Sequence, residues 1–154
     1  MPLGVIAIAV LAALAASPLA PRAERRVGDL RLELSTDRAV YRAGDTVAIT
    51  LQVTSLAQRP ASMMVGGQEF DVTVRQRGAL VWQWSHDKAY VQVVRELPLA
   101  PGQVLTYRAT WDQRDLQGRR VEPGTYEIFC TFFGALRPGG PAGEVGPVRI
   151  IIGR

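Results

Sequence analysis

The sequence is poor in metal ligands and thiols. Its 154 residues include one cysteine, Cys130, and one histidine, His86. A zinc site takes three or four nitrogen or sulfur ligands and a disulfide takes two thiols, so metal-centred and disulfide-framework classes fall away. Of its 18 basic residues one is lysine, Lys88, the rest are arginine, and asparagine is absent. That bias suits a GC-rich genome and, more weakly, a heat-adapted protein. The net charge is only +4, and the arginines stand singly among acidic residues apart from Arg25-Arg26 and Arg119-Arg120. No basic stripe for nucleic acid follows.

Charge is also missing from the first twenty residues, where Pro2 to Ala20 form an apolar, alanine-rich run. Small residues at Ala13, Ala15, Ala16 and Ala20 offer cleavage positions, so residues 1–26 are read as a signal peptide, with an uncleaved membrane anchor as the alternative. Arg22, Arg25 and Arg26 follow the run instead of preceding it, which is the less usual charge order for export. The expectation is a folded domain over 27–154 that is secreted or anchored outside the cytoplasmic membrane, touching the membrane only through that segment. About 130 residues suffice to bury roughly two thirds of the unfolded surface in one core.

What is present has a period of two. Leu30, Leu32 and Leu34 alternate with Arg31 and Glu33, and Val47, Ile49, Leu51 and Val53 alternate with polar or small residues. The pattern returns at Phe70–Val74, Leu105–Trp111, Tyr126–Phe132 and Val148–Ile152, while turn signals such as Gly66-Gly67, Pro101-Gly102 and Pro123-Gly124 separate the runs. No helical stripe persists after residue 28. The expectation is an all-β, immunoglobulin-like antiparallel sandwich of about eight or nine strands. Phe70, Trp82, Trp84, Trp111 and Tyr126 are expected to be largely buried, with Trp82 and Trp84 on one face of one strand. Pro123-Gly124-Thr125-Tyr126 has the form of a tyrosine corner, and Cys130 shares parity with Tyr126 and Ile128, which makes it a small core residue.

Several strings go further than periodicity. Gln68-Glu69-Phe70-Asp71-Val72, Leu80-Val81-Trp82-Gln83-Trp84-Ser85, Leu99-Ala100-Pro101-Gly102, Thr110-Trp111-Asp112-Gln113-Arg114-Asp115, Gly118 and Pro123-Gly124-Thr125-Tyr126 stand in that order. Over roughly residues 44 to 133 the chain resembles the intracellular proteinase inhibitor (BsuPI-type) domain. The resemblance implies an immunoglobulin-like sandwich that inhibits a subtilisin-type serine protease. The apolar leader departs from the word "intracellular".

Catalysis finds little support. Ser85, His86 and Asp87 are adjacent, whereas a triad needs groups converging from separate segments, and no G-x-S-x-G elbow is present. The glycine-rich run Gly134–Gly146 has no G-K-[ST] for phosphate. The chain is therefore expected to be no enzyme, to carry no cofactor or metal, and to act on a protein partner. An exported binding or assembly module without inhibitory activity is the alternative to the inhibitor.

Sandwich loops gather at the ends, and three connections are long or unusual: Ser85–Ala89, Gln113–Glu122 and Gly134–Gly146. The third is long and rich in glycine, so ordering it on binding costs entropy. The second is anchored by Trp111 and by Pro123-Gly124. The candidate contact loop is accordingly Asp112, Gln113, Arg114, Asp115, Leu116, Gln117, Gly118, Arg119 and Arg120. The carboxylates of Asp112 and Asp115 are expected to tie down loop amides or to pair with Arg114.

Overall fold

A computed structural model describes residues 20–136 and 143–154. The apolar run 2–19, with its signal-peptide or anchor reading, lies outside the described residues, as does 137–142 of the glycine-rich connection. Among the described residues eleven strands form, the alternating segments among them: β1 (Arg22–Val27), β2 (Leu30–Thr36), β3 (Val40–Tyr41), β4 (Val47–Ser55), β5 (Ala61–Gly66), β6 (Phe70–Gln76), β7 (Ala79–Gln83), β8 (Val94–Leu99), β9 (Val104–Trp111), β10 (Gly124–Phe132) and β11 (Gly143–Ile152). One sheet runs β1-β2-β4-β9, the other β3-β11-β10-β6-β7, and β5-β8 form a separate ribbon. All pairs are antiparallel except β3 with β11. The fold is an immunoglobulin-like all-β sandwich.

Period-two burial closes the core. Leu30, Leu32 and Leu34 of β2 and Val47, Ile49, Leu51 and Val53 of β4 meet Val72 and Val74 of β6 and Tyr126, Ile128, Cys130 and Phe132 of β10, all buried. Each such aliphatic or aromatic side chain contributes about 1.5–3 kcal/mol relative to exposure. On β11 the buried parity shifts between Val145 and Val148, because an extra residue there faces the Ile128–Cys130 step of β10. This bulge keeps both halves of β11 pointed at the core.

Some sequence expectations need correction. Among the described residues there are eleven strands, where about eight or nine were expected. β1 and β3 carry no apolar alternation long enough to see, yet β1 pairs with β2 along its whole length, so the folded unit reaches back across the 26/27 boundary to Arg22. β11 begins at Gly143, which removes four residues from the supposed Gly134–Gly146 loop. β7 stops at Gln83, and Trp84 opens a 3-10 turn, Trp84–Asp87, so the two tryptophans do not share a strand face. Trp82, Trp111 and Tyr126 are buried as expected, whereas Trp84 and Phe70 are half-buried at the rim. Their rings still form one network: Trp84 packs on Phe70 and Trp82, Trp82 on Trp111, and Trp111 edge-on against Tyr126.

Candidate functional site

The Asp112–Arg120 loop leaves β9 and runs beside β7, whose outer edge it covers with a bond from Leu116 N–H to the Val81 carbonyl (3.0 Å). Covering an edge strand removes a site of unwanted pairing. The loop is held by its own side chains. Trp111 Nε1 donates to the Arg114 carbonyl (2.9 Å), and Asp112 accepts the Arg114 N–H. Asp115 Oδ1 accepts the N–H groups of Gln117 and Arg119, each at 2.9 Å. Those donors, Arg119 N–H foremost, hold the Asp115 carboxyl below its usual pKa. Asp112 also pairs with Arg114 and Asp115 with Arg119, both at 3.5 Å. The expected role of the two carboxylates is what the geometry contains.

One member of the candidate set does not face solvent. Gln113 is buried and sits at φ 61°, which turns its side chain inward. Its amide nitrogen donates to the carbonyls of Arg42 (2.8 Å) and Asp45 (2.9 Å), and its Oε1 accepts the Gly44 N–H (3.0 Å). Gln113 is thus a clamp between this loop and the β3–β4 turn, unavailable to a partner. Asp112, Arg114, Gln117, Gly118, Arg119 and Arg120 are exposed, and Asp115 and Leu116 are half-buried.

Two of the three connections meet. The 3-10 turn and the loop form the walls of a groove of about 490 Å³, with Trp82, Trp84, His86 and Lys88 on one side and Asp112, Arg114, Leu116 and Gly118 on the other. Lys88 Nζ stands 3.5 Å over the Trp84 ring and donates to the Trp84 carbonyl (3.0 Å). It also donates to Asp87, and that bond lowers the Asp87 pKa.

Ser85 and His86 are committed to structure. Ser85 Oγ donates to Asp71 Oδ2 (2.7 Å), and its N–H donates to Asp71 Oδ1 (3.1 Å). Gln83 Nε2 adds a third bond to the same carboxylate at 2.6 Å. His86 Nδ1 lies 2.6 Å from the Gln83 carbonyl, so that nitrogen carries the proton and no base addresses Ser85. Asp71 is buried although alternation in β6 puts it on the outer face: its carboxylate accepts four hydrogen bonds, from the Val72 N–H (2.9 Å), the Ser85 N–H and Oγ, and Gln83 Nε2, which hold it beneath Gln83 and Ser85. The signal lay in the strings themselves, since Asp71, Gln83 and Ser85 belong to two of them. Tyr90–Val94, rich in β-branched residues, lies outside every alternating segment and every turn signal of the sequence.

With this geometry in hand, comparison with known proteins gives a family model described as intracellular proteinase inhibitor (BsuPI), which matches residues 34–135. The match spans every string that carried the resemblance. No curated protein matches the chain. Among solved structures, a β-glucosidase from Erythrobacter marinus aligns at 17% identity and TM-score 0.42, over 77% of this chain and 14% of its own. The sporulation control protein Spo0M of Bacillus subtilis aligns at 13% identity and TM-score 0.52, over 82% of this chain and 50% of its own. The CARDB domain of the PF1109 protein from Pyrococcus furiosus, in complex with di-metal ions, aligns at 13% identity and TM-score 0.43, over 88% and 97%. The chain thus spans half or less of the first two structures, and these likenesses concern the fold alone.

The family description corrects one expectation. It points to the cytoplasm, against a domain secreted or anchored outside the membrane. An apolar stretch of about 18 residues is compatible with several fates, which is why it misled. Among the described residues no helix is long and apolar enough to cross a membrane.

Proposed function

The chain belongs to the intracellular proteinase inhibitor (BsuPI) family, and on that premise we propose that it inhibits a subtilisin-type serine protease, using surface loops of the sandwich as the contact. Membership of an inhibitor family implies a protease partner and argues against catalysis by this chain. The observation that carries the loop reading is the internal bonding of Asp112–Arg120. An inhibitor loses affinity for every rotor or backbone segment it must order on binding. Here Asp112, Asp115 and the Trp111 indole already hold the backbone, so Gln117, Gly118, Arg119 and Arg120 stand exposed without that cost. Leu116 and Gln113 serve the fold, so a wholesale exchange of the loop would disturb the β7 edge as well.

The test is a triple variant, Gln117→Ala, Arg119→Ala and Arg120→Ala, titrated against a subtilisin-type protease. Exposed side chains are removed while Asp115 keeps its backbone donors. Inhibition weakened at least tenfold with an unchanged melting temperature is expected. Undiminished inhibition would remove this loop from the contact.

A further inference from the structure

Three of the eight large apolar side chains that are exposed among the described residues lie within four positions: Val91 (72%), Val93 (48%) and Val94 (73%). β-branched residues in a row ordinarily pair into a sheet. Here they do not until Val94, which opens β8 opposite Gly66. The N–H groups of Ala89, Tyr90, Val91 and Gln92 donate to no described residue. Singly scattered exposed apolar side chains need no explanation, whereas a cluster of them marks an interaction surface.

The stretch is nevertheless fixed in place. At its start Lys88 is pinned on the Trp84 ring and carbonyl. At its end Val94 joins the β5–β8 ladder, and Arg95 pairs with Glu69 at 2.6 Å. Between them the backbone lies against Gly66-Gly67: a Cβ on Gly67 would fall 1.9 Å from the Val91 carbonyl oxygen, and one on Gly66 would be 3.6 Å from that of Val93. Only glycine at 67 admits this approach. Val93 N–H returns to the Val91 carbonyl at 3.0 Å, a three-residue turn that bends the chain at Gln92. The result is a short, fixed segment with exposed valine side chains and main-chain donors unspent.

Endoproteinases bind substrate as an added strand, through main-chain hydrogen bonds, with subsites that take alternate side chains. Building on the inhibitor reading above, we infer that Ala89–Val94 is the segment that enters the substrate cleft of the target protease, with Val91 and Val93 in apolar subsites. The groove beside Lys88 and the Asp112–Arg120 loop then flank the cleft, since the 3-10 turn that leads into this segment forms one wall of that groove and the loop forms the other. Apolar subsites are the stated chemistry: a cleft that requires a cationic side chain at its primary pocket would reject this segment.

The experiment titrates the full chain against subtilisin and, separately, trypsin. It then compares Val91→Asp/Val93→Asp with the control Val40→Asp, which alters an exposed valine on β3. Subtilisin inhibition that weakens roughly 30-fold or more in the double variant, as for a contact hot spot, with an unchanged melting temperature, no loss in the control and no inhibition of trypsin, is the expected result. Equal inhibition by wild type and double variant would overturn the inference and leave the inhibitor reading standing. Inhibition of trypsin as strong as that of subtilisin would also overturn it. No inhibition by the wild-type chain would overturn both.

Discussion

Gln113 occupies the left-handed region, where a non-glycine residue is uncommon, and three hydrogen bonds to the Arg42–Asp45 turn hold it there. Gln113→Ala removes all three and is expected to cost about 1–3 kcal/mol, read as a lower denaturant midpoint with unchanged slope. Tyr126 Oη donates to the Glu122 carbonyl at 2.5 Å, the tyrosine corner expected from Pro123-Gly124-Thr125-Tyr126. Tyr126→Phe should cost about 1 kcal/mol by the same measurement. Titration makes a third prediction. Burial, then the bond to Asp37, pushes Tyr41 up to about 12, and burial likewise raises Tyr107, Tyr126 and Cys130. A raised pKa means the folded state keeps its proton longer than the unfolded chain. That stability is complete below the ordinary values of 9.0 for the thiol and 10.0 for the phenols, and it is lost as pH rises toward 12. Melting temperature should therefore begin to fall above pH 9.0, with the steepest loss above 10.0, and the phenolate absorbance of the buried tyrosines should appear together with unfolding. Phenolate formation by Tyr41, Tyr107 and Tyr126 at 10.0 in a chain still folded would contradict this.

Strand β1 shows how an element escapes notice in a sequence. Its residues, RAERRV, offer no apolar face, but each pairs with β2, and Val27 packs beside the core. Deleting residues up to Val27 leaves β2 as an open edge, so a lower melting temperature and concentration-dependent association by size-exclusion chromatography are expected. A monomer of unchanged stability would show β1 to be dispensable. The long alternating strands β2, β4, β6, β9 and β10 were legible because one face of each is buried, which imprints period two. The 3-10 turn was not: Trp82 and Trp84 have strand parity in sequence, and only the Asp71 bonds to Ser85 and Gln83 explain why the strand ends at Gln83. The ordered backbone of the Asp112–Arg120 loop was legible through its anchors, Trp111 and Pro123-Gly124. The inward turn of Gln113 depends on a tertiary partner about seventy residues away, at separations of 69 and 71 in the chain, and no local pattern records that.

Taken as a whole, the strings that identify the family are mostly the architecture of the domain. Phe70, Trp82, Trp84, Trp111 and Tyr126 join the two sheets through one aromatic network, and Asp71, Gln83 and Ser85 close its rim. The surfaces assigned to the partner, the exposed side of Asp112–Arg120 and the valines of Ala89–Val94, border that network without belonging to it. Stability and inhibition should therefore separate on mutation: core variants lower both, and surface variants lower inhibition alone. The decisive measurement is a titration of active-site-quantified subtilisin with the folded chain, followed by peptide hydrolysis. A linear fall in activity to near zero at molar equivalence, with the chain recovered intact in a complex, is the expected result. Undiminished hydrolysis at molar excess, with the chain cleaved as an ordinary substrate, would contradict it.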